Sequence, residues 1–296
     1  MSCFESSRLD FLAVSDGNEK PNIKRNHGVS KVFLNKNYLK GIRMKYMKKM
    51  SINSKNFNKF IKVNGTDLPY RVERRNVKYP RLEFKTGELL AILPKRWKDE
   101  NSLLESKMGW IWKKHIEIQG GINKIKTQGK GVNSLLIMGD FFEFRGDGPL
   151  EIDFDEKWVK YDPGNQNHVI RLTTILKKRL FHEIEKAAGE YNEKFGVKFN
   201  KIFVKRQRTK WGSCSSNGNL SFNFWLICLP RELIRYVVCH EVLHLKEKQH
   251  DKAFWKIMGS EFENYKQFEK NLFEYWFFIQ EYFRSTVPSS FVSQFS

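Results

Sequence analysis

Acidic residues are missing from one long stretch of this 296-residue chain: none lies between Glu19 and Asp67, while thirteen Lys or Arg do. Over the full length, 53 Lys and Arg face 33 Asp and Glu, a net charge of +20. A field of that sign disfavours basic partners and attracts phosphate, nucleic acid or anionic surfaces. The plainer alternative is a solvated lysine-rich surface. Cysteine is scarce: Cys3, Cys214, Cys228 and Cys239 show no CxxC pairing. That spacing excludes a disulfide framework and a cysteine-built zinc site, and fits isolated thiols in a reducing compartment. Long apolar runs are absent as well, so no bilayer span is expected. The amino terminus offers only "FLAV" beside acids, which is no secretory signal. These absences together predict a soluble, cytoplasmic protein.

What is present suffices for a folded core, with 40% hydrophobic and 15% aromatic residues. Residues 1–57 read as a basic, flexible arm offering a nucleic-acid contact, densest at "KGIRMKYMKKM". A start at Met44, Met47 or Met50 is the alternative reading of that arm. From residue 58 the pattern changes. "LPYRVER" and "RLEFKTGELLAILP" alternate as strands, with a turn at Thr86-Gly87, and a second hairpin is expected around Gly139-Asp140. Helical periodicity covers 99–119, 173–196 (stopped by Gly196), 231–248 and 261–283. "KIFVKRQR" and "LSFNFWL" read as strands. No internal repeat is visible.

Three of the seven histidines fall within "YVVCHEVLHLKEKQHDKAFW". On a helix advancing about 100° per residue, His240 and His244 share one face, and Glu241 emerges beside the first. This HExxH pattern suits two metal ligands and a general base acting on a metal-activated water. A pair of core-facing histidines is the plain alternative for so short a motif. His250 is the third ligand only if the helix ends between Leu245 and Gln249, since a continuing helix turns it away. Neither Gly nor Pro marks such an end, but Asp251 is a good N-cap for a new helix. A downstream carboxylate, Glu261 or Glu263, is the rival third ligand.

Cys239 neighbours His240 but points elsewhere on a helix, so packing is its expected role rather than nucleophilic attack. Arg206, Arg208 and Lys210 share a face if their segment stays extended, forming a candidate anion or substrate stripe. Trp211 is a candidate cleft floor, and core packing fits it equally. Phe254 and Trp255 are expected to hold His250 in place.

"VKRQRTKWGSCSSNGNLSFNFWLICLP" followed by "YVVCHEVLHLKEKQHDKAFW" resembles the YgjP-like family of zinc metallopeptidases and metal-dependent hydrolases, itself related in motif to SprT-like and WLM peptidases. Trp211, Gly212, Ser213, Cys214, His240, Glu241, His244, His250, Phe254 and Trp255 fill its signature. Lys210 stands where Arg is common, which keeps the charge but loses a bidentate grip. The resemblance implies an α+β, zincin-like domain, a mostly antiparallel sheet over the HExxH helix (173–283), preceded by a β-rich part (58–172) and followed by a tail (284–296). It further implies one zinc ion per chain on His240, His244 and His250, with Glu241 as general base. In such folds substrate lies along an edge strand, for which 219–225 is the candidate. The expected activity is a metallopeptidase acting on peptide or protein. A nucleoside-triphosphate pyrophosphatase at the same site is the alternative, since that activity is also ascribed within the family. A third reading is a nucleic-acid-associated protein whose zinc is structural.

Overall fold

The computed structural model describes residues 59–85, 88–127, 134–207 and 209–285. The basic arm 1–57, the Thr86-Gly87 turn, Arg208 and the tail beyond residue 285 lie outside them. The described residues form a mixed α+β fold of three small sheets and six α-helices.

Strands β1 (Lys59–Val63), β2 (Thr66–Arg75), β3 (Arg81–Lys85) and β4 (Glu88–Pro94) form one sheet in the order β1-β2-β4-β3, with β2 and β4 parallel. Asn64 and Gly65 close its first hairpin with positive φ (47° and 80°), the geometry of a two-residue turn matched to strand twist. Helix α1 (Glu100–Ser106) is capped by Asp99, whose carboxylate accepts from the Ser102 N–H. The chain breaks at Lys107 before α2 (Met108–Lys126). The single helix expected over 99–119 is therefore two, and the second runs on through Gly120-Gly121. Gly121 is held there by close approach, because a Cβ would lie 2.6 Å from Glu274 Cγ.

Strands β5 (Ser134–Ile137), β6 (Asp140–Phe144), β7 (Glu151–Asp153) and β8 (Trp158–Lys160) make a second sheet, ordered β5-β6-β8-β7 with β6 and β8 parallel. Its strand order repeats that of the first sheet, a repetition of topology that the side chains do not betray. The hairpin turn falls on Met138-Gly139, one residue before the expected Gly139-Asp140, both with positive φ.

Helix α3 (Gln166–Phe195) is capped by Asn165 and begins seven residues before the predicted start, and it ends on Gly196 in the left-handed conformation (φ 63°), as its sequence predicts. Three short strands follow: β9 (Ile202–Lys205), β10 (Gly212–Cys214) and β11 (Leu220–Asn223), ordered β10-β11-β9. β10 pairs antiparallel and β9 parallel with β11, so this sheet is half antiparallel rather than mostly so. β11 passes into a 3-10 turn, Phe224–Cys228, where the alternating pattern gives way to continuous burial. Helices α4 (Arg231–Leu243), α5 (Lys252–Glu261) and α6 (Tyr265–Ser285) complete the chain.

Helix α4 is buried on every side from Tyr236 to Leu243. It touches α3, β10, α5 and α6, which is why its sequence is apolar around most of its circumference. Each large apolar side chain enclosed there contributes roughly 1.5–3 kcal/mol. The aromatic crowd of α6 serves this core: Trp276, Phe277, Phe278 and Ile279 are buried. A smaller cluster of Val63, Leu68, Tyr70, Leu89, Leu104 and Ile111 fills the first sheet. No helix among the described residues is long and apolar enough to cross a membrane.

Candidate metal centre

Helix α4 stops at Leu243, and Leu245 and Lys246 donate to the Val242 and Leu243 carbonyls in one tightened turn. The break expected before His250 therefore exists without Gly or Pro. A side chain substitutes for them: His244 Nδ1 donates to the Glu247 carbonyl at 2.9 Å, satisfying a group left orphaned by the helix end. Asp251 then caps α5, its carboxylate accepting from the Ala253 and Phe254 N–H groups at 2.9 and 3.1 Å. The turn between the two helices carries His250 back over α4.

His240, His244 and His250 meet there. Nε2 of His250 lies 2.9 Å from Nε2 of His240 and 3.1 Å from Nε2 of His244. Because His244 Nδ1 carries the proton given to Glu247, its Nε2 presents a lone pair to its neighbours. A proton on His250 Nε2 points well at only one of two such partners, whereas a cation serves all three. Tetrahedral nitrogens at zinc-like bond lengths stand about 3.3 Å apart, close to the spacing present. Burial depresses all three imidazole pKa values, His240 well below its ordinary value with help from the other two rings. His244 is driven to about 4, chiefly by burial. The rings are thus kept neutral, the state in which imidazole binds metal. The residues present fit a metal ion.

One aromatic ring braces the three. Phe254, fully buried, lies with its centroid 4.8 Å from each imidazole, stacked on His244 and edge-on to His240 and His250. Trp255 stacks on His250, and Tyr265 on Trp255. The rival carboxylates are elsewhere: Glu261 pairs with Lys194 at 2.6 Å, and Glu263 is exposed.

Glu241 is completely buried, and neither carboxylate oxygen has a full hydrogen-bond partner. Burial pushes its pKa up to about 8, against the opposing pull of Lys210 and the Cys214 backbone N–H. Across from it stands Gly212 of β10, where a Cβ would fall 2.7 Å from both Cγ and Oε1 of Glu241. The glycine of the WGSC segment is the space in which the carboxylate sits.

The remaining candidates separate. The strand expected to carry Arg206 ends at Lys205, so Arg206 and Lys210 do not continue one extended face; Arg206 is exposed, and the charge of Lys210 acts on Glu241. Trp211 is buried (4% exposed), its ring edge-on to Trp276 at 4.8 Å, in the core rather than on an open cleft. Cys239 is buried against Met258, and burial pushes its thiol pKa up, away from nucleophilic use. β11, expected as the free edge, is the central strand; β10 is the edge nearer Glu241.

Asn223 was not foreseen. Wholly buried, it donates from Nδ2 to the Gln207 and Lys210 carbonyls, both at 2.9 Å, and accepts on Oδ1 from the Gln207 and Trp225 N–H groups. All four of its hydrogen-bonding positions are used, and they pin the loop that presents Lys210. An asparagine inside an alternating apolar strand was the only available signal.

No individual curated protein matches the chain. The model of the YgjP-like metallopeptidase domain matches residues 78–275, about two thirds of the sequence, taking in Gly212, Glu241 and the histidine cluster. With a three-imidazole cluster and a buried carboxylate inside the matched segment, the chain belongs to the YgjP-like family and is a metal-dependent hydrolase of the metallopeptidase kind.

Proposed function

We propose that the chain is a zinc-dependent peptidase in which His240, His244 and His250 hold the ion and Glu241 is the general base. The observation that carries this reading is the convergence of three neutral Nε2 atoms beside a buried carboxylate. Three nitrogen ligands in a near-tetrahedral spacing favour zinc over harder ions, and leave one position open. When bound, the ion supplies Lewis acidity, lowering the pKa of water toward neutrality and polarising a carbonyl.

The chain's own groups do the rest. Glu241 takes a proton from the attacking water and returns it to the departing amine nitrogen. Its raised proton affinity suits that exchange near neutral pH, and Lys210 favours the carboxylate form needed at the start. Phe254 fixes the three rings so that Glu241 meets a constant geometry. An extended peptide adds to the free edge of β10 rather than to 219–225, with backbone groups supplying affinity.

The test is purified protein, before and after chelation, offered casein and a panel of nucleotides, with Glu241→Gln as control. Peptide release is expected to need metal and to fall by about 10²–10⁴-fold in Glu241→Gln while metal content holds. Pyrophosphate release without peptide release would overturn the peptidase reading in favour of nucleotide hydrolysis.

A further inference from the structure

The three candidate ligands are not held equally. His240 lies within the buried helix α4 and His244 caps it, whereas His250 stands exposed on the turn before α5. His244 is fixed further by the bond from its Nδ1 to the Glu247 carbonyl. Among the described residues, Nδ1 of His250 makes no such bond. An imidazole on a turn rotates about two side-chain torsions, and either rotation carries Nε2 away from its neighbours. Aromatic rings hold it instead. The Trp255 indole stacks on His250 with the planes 29° apart, and Phe254 stands at 89° to it. Two nearly perpendicular surfaces thus limit both rotations.

Trp255 is itself only half-buried, in the first turn of α5, and has a support of its own. Tyr265, the first residue of α6, stacks on the indole with centroids 5.1 Å and planes 24° apart. The place of Tyr265 is fixed in turn from α4. The Phe262 carbonyl accepts from the Tyr265 N–H at 2.9 Å, and the Phe262 ring packs edge-on to Tyr236. One turn into α6, Phe268 stacks on the same Tyr236 ring, and Glu269 accepts from the Tyr236 hydroxyl at 2.9 Å. Tyr236 is fully buried and lies one helical turn before His240. The contacts close a loop in which α4 anchors the start of α6, and α6 reaches back to the ligand that α4 does not carry. We infer that Tyr265 is a positioning residue of the metal centre, holding His250 in register with His240 and His244 by way of Trp255. The inference rests on the metal-binding part of the reading above and goes beyond it by drawing helix α6 into the site.

The test uses the full chain, stripped of metal and titrated with zinc against a competing chelator. A second titration uses cobalt(II), whose visible bands report ligand geometry. Tyr265→Leu keeps apolar bulk but removes the flat ring. It is expected to bind zinc about tenfold more weakly and to shift the cobalt bands. Tyr265→Phe should match the wild type in both. Trp255→Leu should weaken binding at least as much, and the double variant no further than Trp255→Leu alone, because one residue acts through the other. Phe273→Leu lies on the same helix, but its ring meets Phe277 and Lys114 instead. It should keep wild-type affinity and bands whatever it loses in urea unfolding. Where Tyr265→Leu does not fold, Tyr265→Met fills the space without a plane and carries the same expectation. Unchanged affinity and bands in Tyr265→Leu or Trp255→Leu, no restoration by Tyr265→Phe, additive losses in the double variant, or an equal loss in Phe273→Leu would each overturn the inference. In all of these the wild type still binds metal, so the reading above stands. A wild-type chain that takes up neither ion overturns both.

Discussion

A single methyl group is the sharpest probe of the site. Added at Gly212, it would lie 2.7 Å from Glu241 Cγ and Oε1, closer than unbonded atoms come, so the carboxylate must move. A shift of about 1 Å in a proton-transferring group costs on the order of 10²-fold in rate. Gly212→Ala should therefore lower kcat by about that factor, while metal content by elemental analysis stays at the wild-type level. A variant that loses metal and activity together would place Gly212 in general stability instead. At this scale the sequence was informative where chemistry is borne by side-chain type: the three histidines and Glu241 were legible from HExxH and the later histidine. What escaped was backbone. The Glu247 carbonyl that orients His244 has no residue signature, and Trp211 read equally as cleft floor or core until its burial decided for the core, because a buried ring and an exposed one are spelled alike.

Elements were read well in kind and less well in extent. Helix α3 ended on Gly196 because only glycine takes that left-handed turn cheaply. Helix α4, by contrast, closes through a histidine side chain, which no helix-stop rule anticipates. The run "KIFVKRQR" lost its second half to the loop held by Asn223, and β11 proved central because pairing order depends on distant partners. The element most open to test is α5. Asp251 accepts two N–H groups at its start, one residue after His250, so capping and ligand placement are coupled. Asp251→Ala should cost about 1 kcal/mol in urea or guanidinium unfolding and weaken metal binding in a competitive chelator titration. Asp251→Asn, also a good cap, should restore both. Loss of stability without loss of metal affinity would uncouple the cap from the site.

Across the whole molecule, the titrating groups of the site set opposite slopes on stability. In the chelated protein the three histidines have depressed folded pKa values, so below pH 6.5 the unfolded chain takes up protons that the folded rings refuse. Stability then falls as pH drops from 6.5 toward 4. Glu241 behaves in the other sense: with a folded pKa near 8, it holds a proton that the unfolded chain has lost, so its contribution fades as pH rises to 8. Metal-free protein is expected to be most stable near pH 6.5 by chemical denaturation. Glu241→Gln should flatten the decline between 6.5 and 8 and steepen the acid limb between 4.5 and 6.5, where the carboxyl opposes the histidines. Adding metal at about a thousandfold over its Kd should raise stability by roughly 4 kcal/mol. A pH profile identical in wild type and Glu241→Gln would show that the carboxyl is not held in its protonated form.

The three imidazoles come from one short run of chain, whereas Gly212 and Lys210 reach the carboxylate from a separate strand and loop. On the proposed reading, capture of the ion and the setting of its base are thus written in different places. A descendant of this sequence could drift in the hairpin, fall silent as an enzyme, and still come off a column with its full complement of metal.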